Sequence, residues 1–291
     1  MSCAERCSVS EMGVSSEMER GVPHPRLRSF IPEYTGYRTS GLPPGVHVGL
    51  PSQWLRLIVA FDAGVDVTAP TGERDTYWAM LAGLHARPAI VRHDGSTHGI
   101  LIPLTPAGAS ALFSTPASQL ASVIAPLDAV LPGGAAELVD RLASAASWMA
   151  RWAVLDDLLL RQLHTDVESD LLMGHAWCSI VGSHGSIPIG DIASEVGLNR
   201  QHFSRRFTQK YGLSPKVMSR VVRFERAHRM IRLPTLPSLA NVAAACGYAD
   251  QAHMTRDFNE FTGSSPTVWM RDELLPSVQD DRSPSRPRSI R

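Results

Sequence analysis

Between Tyr34 and Phe113 the apolar side chains come in short runs broken by Gly, Pro, Asp and Thr. Leu55-Arg56-Leu57-Ile58-Val59-Ala60-Phe61, Ala89-Ile90-Val91-Arg92 and Gly99-Ile100-Leu101-Ile102-Pro103-Leu104 have strand length and predict β-structure. After the prolines at 116, 126 and 132 the pattern changes. Ala135–Ser147 and Arg151–His164 are rich in Ala, Leu and Arg and hold no proline, and Val154, Leu155, Leu158 and Leu159 fall on one helical stripe. Beyond them the chain reads as helical, except for loops around Gly182–Gly185 and Leu233–Pro237. Residues 1–30 are polar and small, and read as a flexible leader. Residues 276–291 (PSVQDDRSPSRPRSIR) read as a disordered tail, being too polar and proline-rich to pack. The domains expected are thus a strand-rich unit at 31–130, a helical connector at 131–166 and a helical unit at 167–275.

An internal repeat organises that last unit. Ile192-Ala193-x3-Gly197-Leu198 returns fifty residues on as Val242-Ala243-x3-Gly247-Tyr248. One extra residue then shifts the offset to 51, which aligns Asn199 with Asp250, Phe203 with Met254, Arg205 with Arg256, Phe207 with Phe258 and Pro215 with Pro266. Each copy spells two short helices around a tight turn. The glycines sit where the first helix ends and a positive φ costs them little. Asn199 and Asp250 stand where a side-chain oxygen can cap the second helix. Phe203/Phe207 and Met254/Phe258 are i, i+4 pairs that bury one face. This is helix-turn-helix grammar, written twice.

At 100° per residue, Phe203 and Phe207 centre a buried stripe at about 20° from Phe203. Arg205 then lies near 200°, Gln201 near 160° and Thr208 near 140°, with Arg200 and Ser204 on the flanks. In the second copy Arg256, Ala252 and Asn259 face outward, and Gln251 and Thr255 flank them. Arg suits guanine O6/N7 and Gln suits adenine N6/N7 in the major groove. Any amphipathic helix has a polar outer face. Two capped copies with an arginine at the same position turn the reading toward DNA. Between the copies, Ser214 as N-cap and Pro215 at N1 open a helix that Pro234 must end. Val217, Val221, Phe224 and Ile231 form its apolar stripe, and Lys216, Arg220, Arg223, Arg226, Arg229 and Arg232 occupy the rest. About nineteen residues at 1.5 Å each make a rod of about 28 Å. That is close to one B-DNA turn, ~34 Å, so two reading helices could enter successive major grooves. A merely solvated basic face is the other reading of these cations.

Charge adds to this picture. The 291 residues carry 28 basic and 28 acidic side chains, but unevenly. Met1–Ser179 has 12 Arg, no Lys and 18 acids, whereas Ile180–Arg291 has 16 basic residues against 10 acids. The basic half fits an anionic partner, although an excess of this size is also ordinary variation.

Residues 189–272, with IGDIASEVGLNRQHFSRRF and VAAACGYADQAHMTRDFNEFTGSSP, resemble the AraC/XylS-type DNA-binding domain. The resemblance rests most firmly on Gly247, Tyr248, Asp250, Arg256 and Phe258, followed by Gly263 and Pro266. It implies seven helices, the first at about Glu168–Val181, carrying two helix-turn-helix units. By position it places base-reading on Gln201, Ser204 and Arg205 and on Gln251, Ala252, His253 and Arg256. Arg200, Thr208 and Thr255 complete the candidate DNA-binding set. Ala252 offers only a methyl group, and Asp257 would repel phosphate if it faced the backbone. Tyr34-Thr-Gly-Tyr37-Arg38, Gly83–Arg87 and Pro103-x-x-Pro106-x-Gly108-Ala109 are similar to the sensor or dimerisation domain of some members. The implied partners are double-stranded DNA, RNA polymerase, a small-molecule effector and a second protomer. The implied fold is an α+β, strand-rich N-terminal domain followed by helices, then an all-α C-terminal domain with two helix-turn-helix units on a long linker helix.

Other chemistries find little support. His85, His93 and His98 lie close in sequence but lack the H-x-H and following glutamate of a cupin-type metal site. Asp156 and Asp157 would point about 100° apart on a helix, a poor carboxylate pair. No G-x-S-x-G, P-loop or dinucleotide fingerprint occurs. Cys3, Cys7, Cys178 and Cys246 form neither a disulfide framework nor a zinc site, nor the cysteine set of a DNA-repair methyltransferase. We therefore expect no catalytic residue, metal or cofactor. The absence of a secretory signal and of any apolar run of 18 residues argues for a cytoplasmic protein without a membrane span.

Overall fold

Strands dominate the chain as far as Leu104 and helices most of the rest. The structure, a computed structural model, describes residues 9–11, 14–164, 170–233 and 238–272. Eleven strands are present among them: β1 (Val9–Glu11), β2 (Val14–Gly21), β3 (Tyr34–Ser40), β4 (Gly45–Gly49), β5 (Leu55–Ala60), β6 (Val65–Thr68), β7 (Arg74–Tyr77), β8 (Ala79–Ala82), β9 (Ala89–His93), β10 (Thr97–Leu104) and β11 (Ile124–Pro126). They form a seven-stranded sheet in the order β1-β2-β3-β10-β5-β8-β11 and a four-stranded sheet in the order β4-β9-β6-β7. Every pairing is antiparallel.

The three apolar runs seen in the sequence are the inner strands. β10 lies between β3 and β5, and Leu55, Leu57, Val59, Ile100, Ile102 and Leu104 are fully buried. Polar strands occupy the outer places. β7 (RDTY) is an exposed edge of the smaller sheet, where charge discourages pairing with another chain.

Two expectations need correction. The leader of residues 1–30 is not loose over 14–30. Ser15–Gly21 pairs residue by residue with Ser40–Tyr34 of β3, and Leu27 is buried in the core. The segment is polar because it lies near the rim of the sheet, so its composition hid its strand. Nor do the helices of the expected 131–166 connector merely bridge two halves. α1 (Pro106–Phe113), α2 (Leu127–Val130), α3 (Ala135–Ser144) and α4 (Trp148–Gln162) belong to the strand-rich unit. α4 lies against β2, and a Cβ on Gly36 of β3 would sit 2.2 Å from the Trp148 ring, so only glycine allows this approach. Stacked rings run from Tyr34 through Trp152 to Trp148, and the Arg151 guanidinium lies 4.7 Å from the Trp148 ring and 5.0 Å from Phe61. Asp156 accepts from the Tyr34 hydroxyl (2.9 Å) and the His24 amide (2.8 Å), while Asp157 meets Arg141 and Arg161. The two neighbouring carboxylates therefore serve separate structural contacts.

Seven further helices follow: α5 (Leu171–Gly182), α6 (Ile189–Glu195), α7 (Arg200–Tyr211), α8 (Pro215–Ile231), α9 (Leu239–Ala245), α10 (Gln251–Thr262) and α11 (Pro266–Asp272). The count is the one the resemblance implied. The start of α5 differs: Asp170 caps it by accepting from the Met173 amide at 3.2 Å, and residues 165–169 lie outside the described set. Cys3, Cys7 and the 276–291 tail also lie outside it. The halves meet at α8, where the Glu225 carboxylate accepts from Ser52 Oγ (3.1 Å), Gln53 N (3.4 Å) and Gln53 Nε2 (2.9 Å). Among the described residues no helix is long and apolar enough to cross a membrane.

Candidate nucleic-acid interface

The two repeats fold into matching bihelical units. In the first, α6 ends at Gly197 (φ 69°) and the Leu198 amide donates back to Ala193 O; in the second, α9 ends at Gly247 (φ 74°) and Tyr248 N donates to Ala243 O. Both glycines hold the left-handed conformation that a side chain would strain. Asn199 Oδ1 accepts from His202 N at 2.8 Å, and Asp250 Oδ1 from His253 N at 2.6 Å. The turn and cap hydrogen bonds thus repeat, with one extra residue, Ala249, between the glycine and the cap in the second unit.

Each second helix buries its apolar stripe completely. Phe203 and Phe207 are fully buried, as are Met254, Phe258 and Phe261. Phe207 stacks with Trp177 of α5 and meets the tilted ring of Tyr211, whose hydroxyl donates to Met173 O at 2.8 Å. Phe258 and Phe261 pack edge-on against Phe224 of α8, at 4.9 and 5.1 Å. α7 therefore leans on α5, and α10 on the linker helix.

With those faces inside, the candidate readers point out. Arg200, Gln201 and Arg205 are exposed and Ser204 and Thr208 half-buried; all five line one open concavity along α7, together with Gln209. On α10, Gln251, Ala252 and Arg256 are exposed, and His253 and Thr255 half-buried. Thr208 and Thr255 donate to backbone carbonyls one turn back (2.8 and 2.9 Å), and the His253 ring sits edge-on to Tyr248 at 5.2 Å. Among the described residues Arg200, Arg205 and Arg256 have no hydrogen-bonding or ionic partner. Three guanidinium groups are held outward with their donors unspent.

Asp257 does not face outward at all. It is 2% exposed, and its Oδ1 accepts from Arg220 Nε (3.1 Å) and Nη2 (2.7 Å) of α8. Arg220 also grips Glu260, which raises its pKa well above the usual value, with Asp257 adding to the effect. Arg223 donates to Gly185 O at 3.0 Å and lies over the Tyr248 ring. Two of the six linker-helix cations therefore fasten the domain internally, which the composition of the helix did not reveal. Lys216 and Arg232 are exposed, and Arg226 and Arg229 half-buried.

The N-terminal sandwich holds a separate cleft of about 850 Å³. Ile58, Met80, Val91 and Leu101 give it apolar walls, and Tyr37, His47, His93 and Thr97 give it polar ones. Burial pushes the Tyr37 phenol up to about 12. The three clustered histidines go separate ways: His85 is buried with Nδ1 donating to Arg87 O, His93 lines the cleft, and His98 Nδ1 meets Asp62 at 2.9 Å. Among the described residues no three His, Cys, Asp or Glu side chains gather as a metal site requires.

Comparison with known proteins finds regulators to which this chain is similar. Over 87 residues the chain is 30% identical to the HTH-type transcriptional regulator Rv1931c of Mycobacterium tuberculosis, a match covering 30% of this chain and 33% of that protein. The chain thus spans about a third of that relative's length. Similar solved structures include ToxT of Vibrio cholerae (10% identity, 90% of this chain and 98% of that one, TM-score 0.48) and the DNA-binding domain of AdpA in complex with a target DNA (26% identity, 35% and 92%, TM-score 0.32). A transcriptional regulator of Chromobacterium violaceum with an AraC-type DNA-binding domain is 20% identical (36% and 95%, TM-score 0.33). Residues 192–272 match the family model described as a helix-turn-helix domain. With its duplicated turn and caps, this part of the chain is an AraC-type helix-turn-helix domain.

Proposed function

We propose that this chain is a transcription regulator that binds double-stranded DNA sequence-specifically and answers to a small molecule or a second protomer through its N-terminal sandwich. One observation carries the reading: two capped helices in matching bihelical units present Arg205 and Arg256 outward, with no partner for either among the described residues. An unpaired guanidinium beside glutamine is the donor set that discriminates guanine and adenine edges in a major groove. Arg200, Ser204 and Thr208 on α7, and Gln251, Ala252, His253 and Thr255 on α10, complete the proposed contact set.

The sandwich cleft supports an effector. Its volume falls within the ~300–1,000 Å³ usual for small-ligand sites, and its walls combine apolar and hydrogen-bonding groups in the usual way. RNA polymerase is the further partner such a regulator implies, and the cytoplasm its place of work. The reading assigns the chain no reaction of its own.

Selection of duplexes from a random DNA pool tests it. We expect enriched sequences that share a motif and bind roughly 10³-fold or more above random duplex. Binding that stays equal across the pool would replace this reading with a non-specific nucleic-acid-binding or protein-interaction module.

A further inference from the structure

In both units the residue directly after the outward arginine is tied to the body of the domain by an ion pair, and the polarity reverses between them. Arg206 follows Arg205, and its Nη2 meets Asp170 of α5 at 3.1 Å. Asp257 follows Arg256 and meets Arg220 of α8 at 2.7 Å. The repeat alignment pairs Arg206 with Asp257, so the two ties occupy equivalent places.

The second tie is the more elaborate. The Arg220 fork spans two carboxylates of α10, Asp257 and Glu260, and its plane lies 5.1 Å from the Phe261 ring. Residues three apart share one face of a helix. Attachment at both resists turning of α10 about its axis as well as sliding along it. Arg256 stands about 100° round the helix from Asp257. On a helix whose side chains reach a radius of about 5–6 Å, a 20° turn would move the Arg256 head on the order of 2 Å. That distance separates a made hydrogen bond from a lost one.

We propose that Asp257 and Arg220 are positioning residues for DNA recognition: their ion pair sets the rotation of α10 on the linker helix, and with it the spacing of the two base clusters that one chain accepts. The inference rests on the DNA-binding reading above. It concerns the phase of the second reader relative to the first, which that reading leaves open.

The test uses the full chain and duplexes obtained by selection, with one base pair inserted or deleted between the two subsites. The wild type should lose at least tenfold in affinity for either change. Arg220→Gln and Asp257→Asn should flatten the profile, leaving the three spacings within about threefold of one another, while Arg220→Lys should recover part of the discrimination. Thermal melting of each variant establishes that it is folded. If Arg220→Gln and Asp257→Asn do not fold, Glu260→Gln, on the exposed arm of the clamp, carries the same test with a smaller flattening. A uniform loss at all spacings, or a profile as sharp as wild type, would overturn the clamp and leave the regulator reading intact. Failure of the wild type to select any two-part site would instead remove the reading on which the clamp rests.

Discussion

The two helix-turn-helix units share a backbone and differ in what holds it. In the first, α7 rests on Trp177 of α5 and is tied to that helix by Arg206; in the second, α10 rests on Phe224 and is tied to α8. Their outer faces differ too, with two arginines and two glutamines along α7 and one arginine with Gln251 and Ala252 on α10. The caps and turn glycines are what stay constant. A bihelical unit thus needs its cap, its turn and a buried stripe, whereas the partner that buries the stripe can be either an extra helix or the linker.

The comparison can be broken most severely from inside. Phe207→Ala and Phe258→Ala each empty a fully buried site and should cost about 3–5 kcal/mol. Chemical denaturation reads this directly, and a cost below about 1 kcal/mol for either would mean that its unit is not packed as described. Acid should act on the sandwich through His85. Burial depresses His85 from 6.5 to about 4, so the folded state binds fewer protons than the unfolded state between those values. The stabilisation is complete above pH 6.5 and is lost as pH falls toward 4, by at most about 3 kcal/mol. A stability–pH curve for wild type and His85→Gln checks it: the variant should lack that slope, and parallel curves would refute the assignment.

Smaller effects sharpen the outer faces. Arg205→Ala and Arg256→Ala should each cost about 1–3 kcal/mol on the preferred duplex and relax preference at one base position. Equal loss on every sequence would identify a phosphate contact instead. Smallest are the caps. Asn199→Ala and Asp250→Ala should each lower stability by ~1 kcal/mol, since each leaves one helix amide without its acceptor. A clear asymmetry between the two in denaturation would show that the units lean on their caps unequally.

Sequence reasoning reached the second half of the chain far better than the first, for a physical reason. A helix-turn-helix unit is built from contacts only a few residues apart, so Gly197, Asn199 and Phe203 reveal it locally, and repetition doubles the signal. The sandwich is built from distant pairs. β10 finds β3 across some sixty residues, and β2 is polar because it lies near a rim. Only the inner, apolar strands β5, β9 and β10 announced themselves. At the candidate site the outward arginines followed from helical geometry, but the fastening role of Arg220 and Arg223 did not. A cation on a helix looks alike in sequence whether its partner is DNA or an aspartate 37 residues away. Asp257 and Glu260, two acids on a reading helix with a single arginine, were the sign that a partner lay within.

The turn glycines and the caps have a consequence for change over time. Gly197, Gly247, Asn199 and Asp250 build the scaffold, whereas Gln201, Arg205, Ala252 and Arg256 lie exposed on its outer surface. Substitutions at those four outward positions take nothing from the folded core, so new target preferences can be tried without crossing the stability threshold that constrains buried residues.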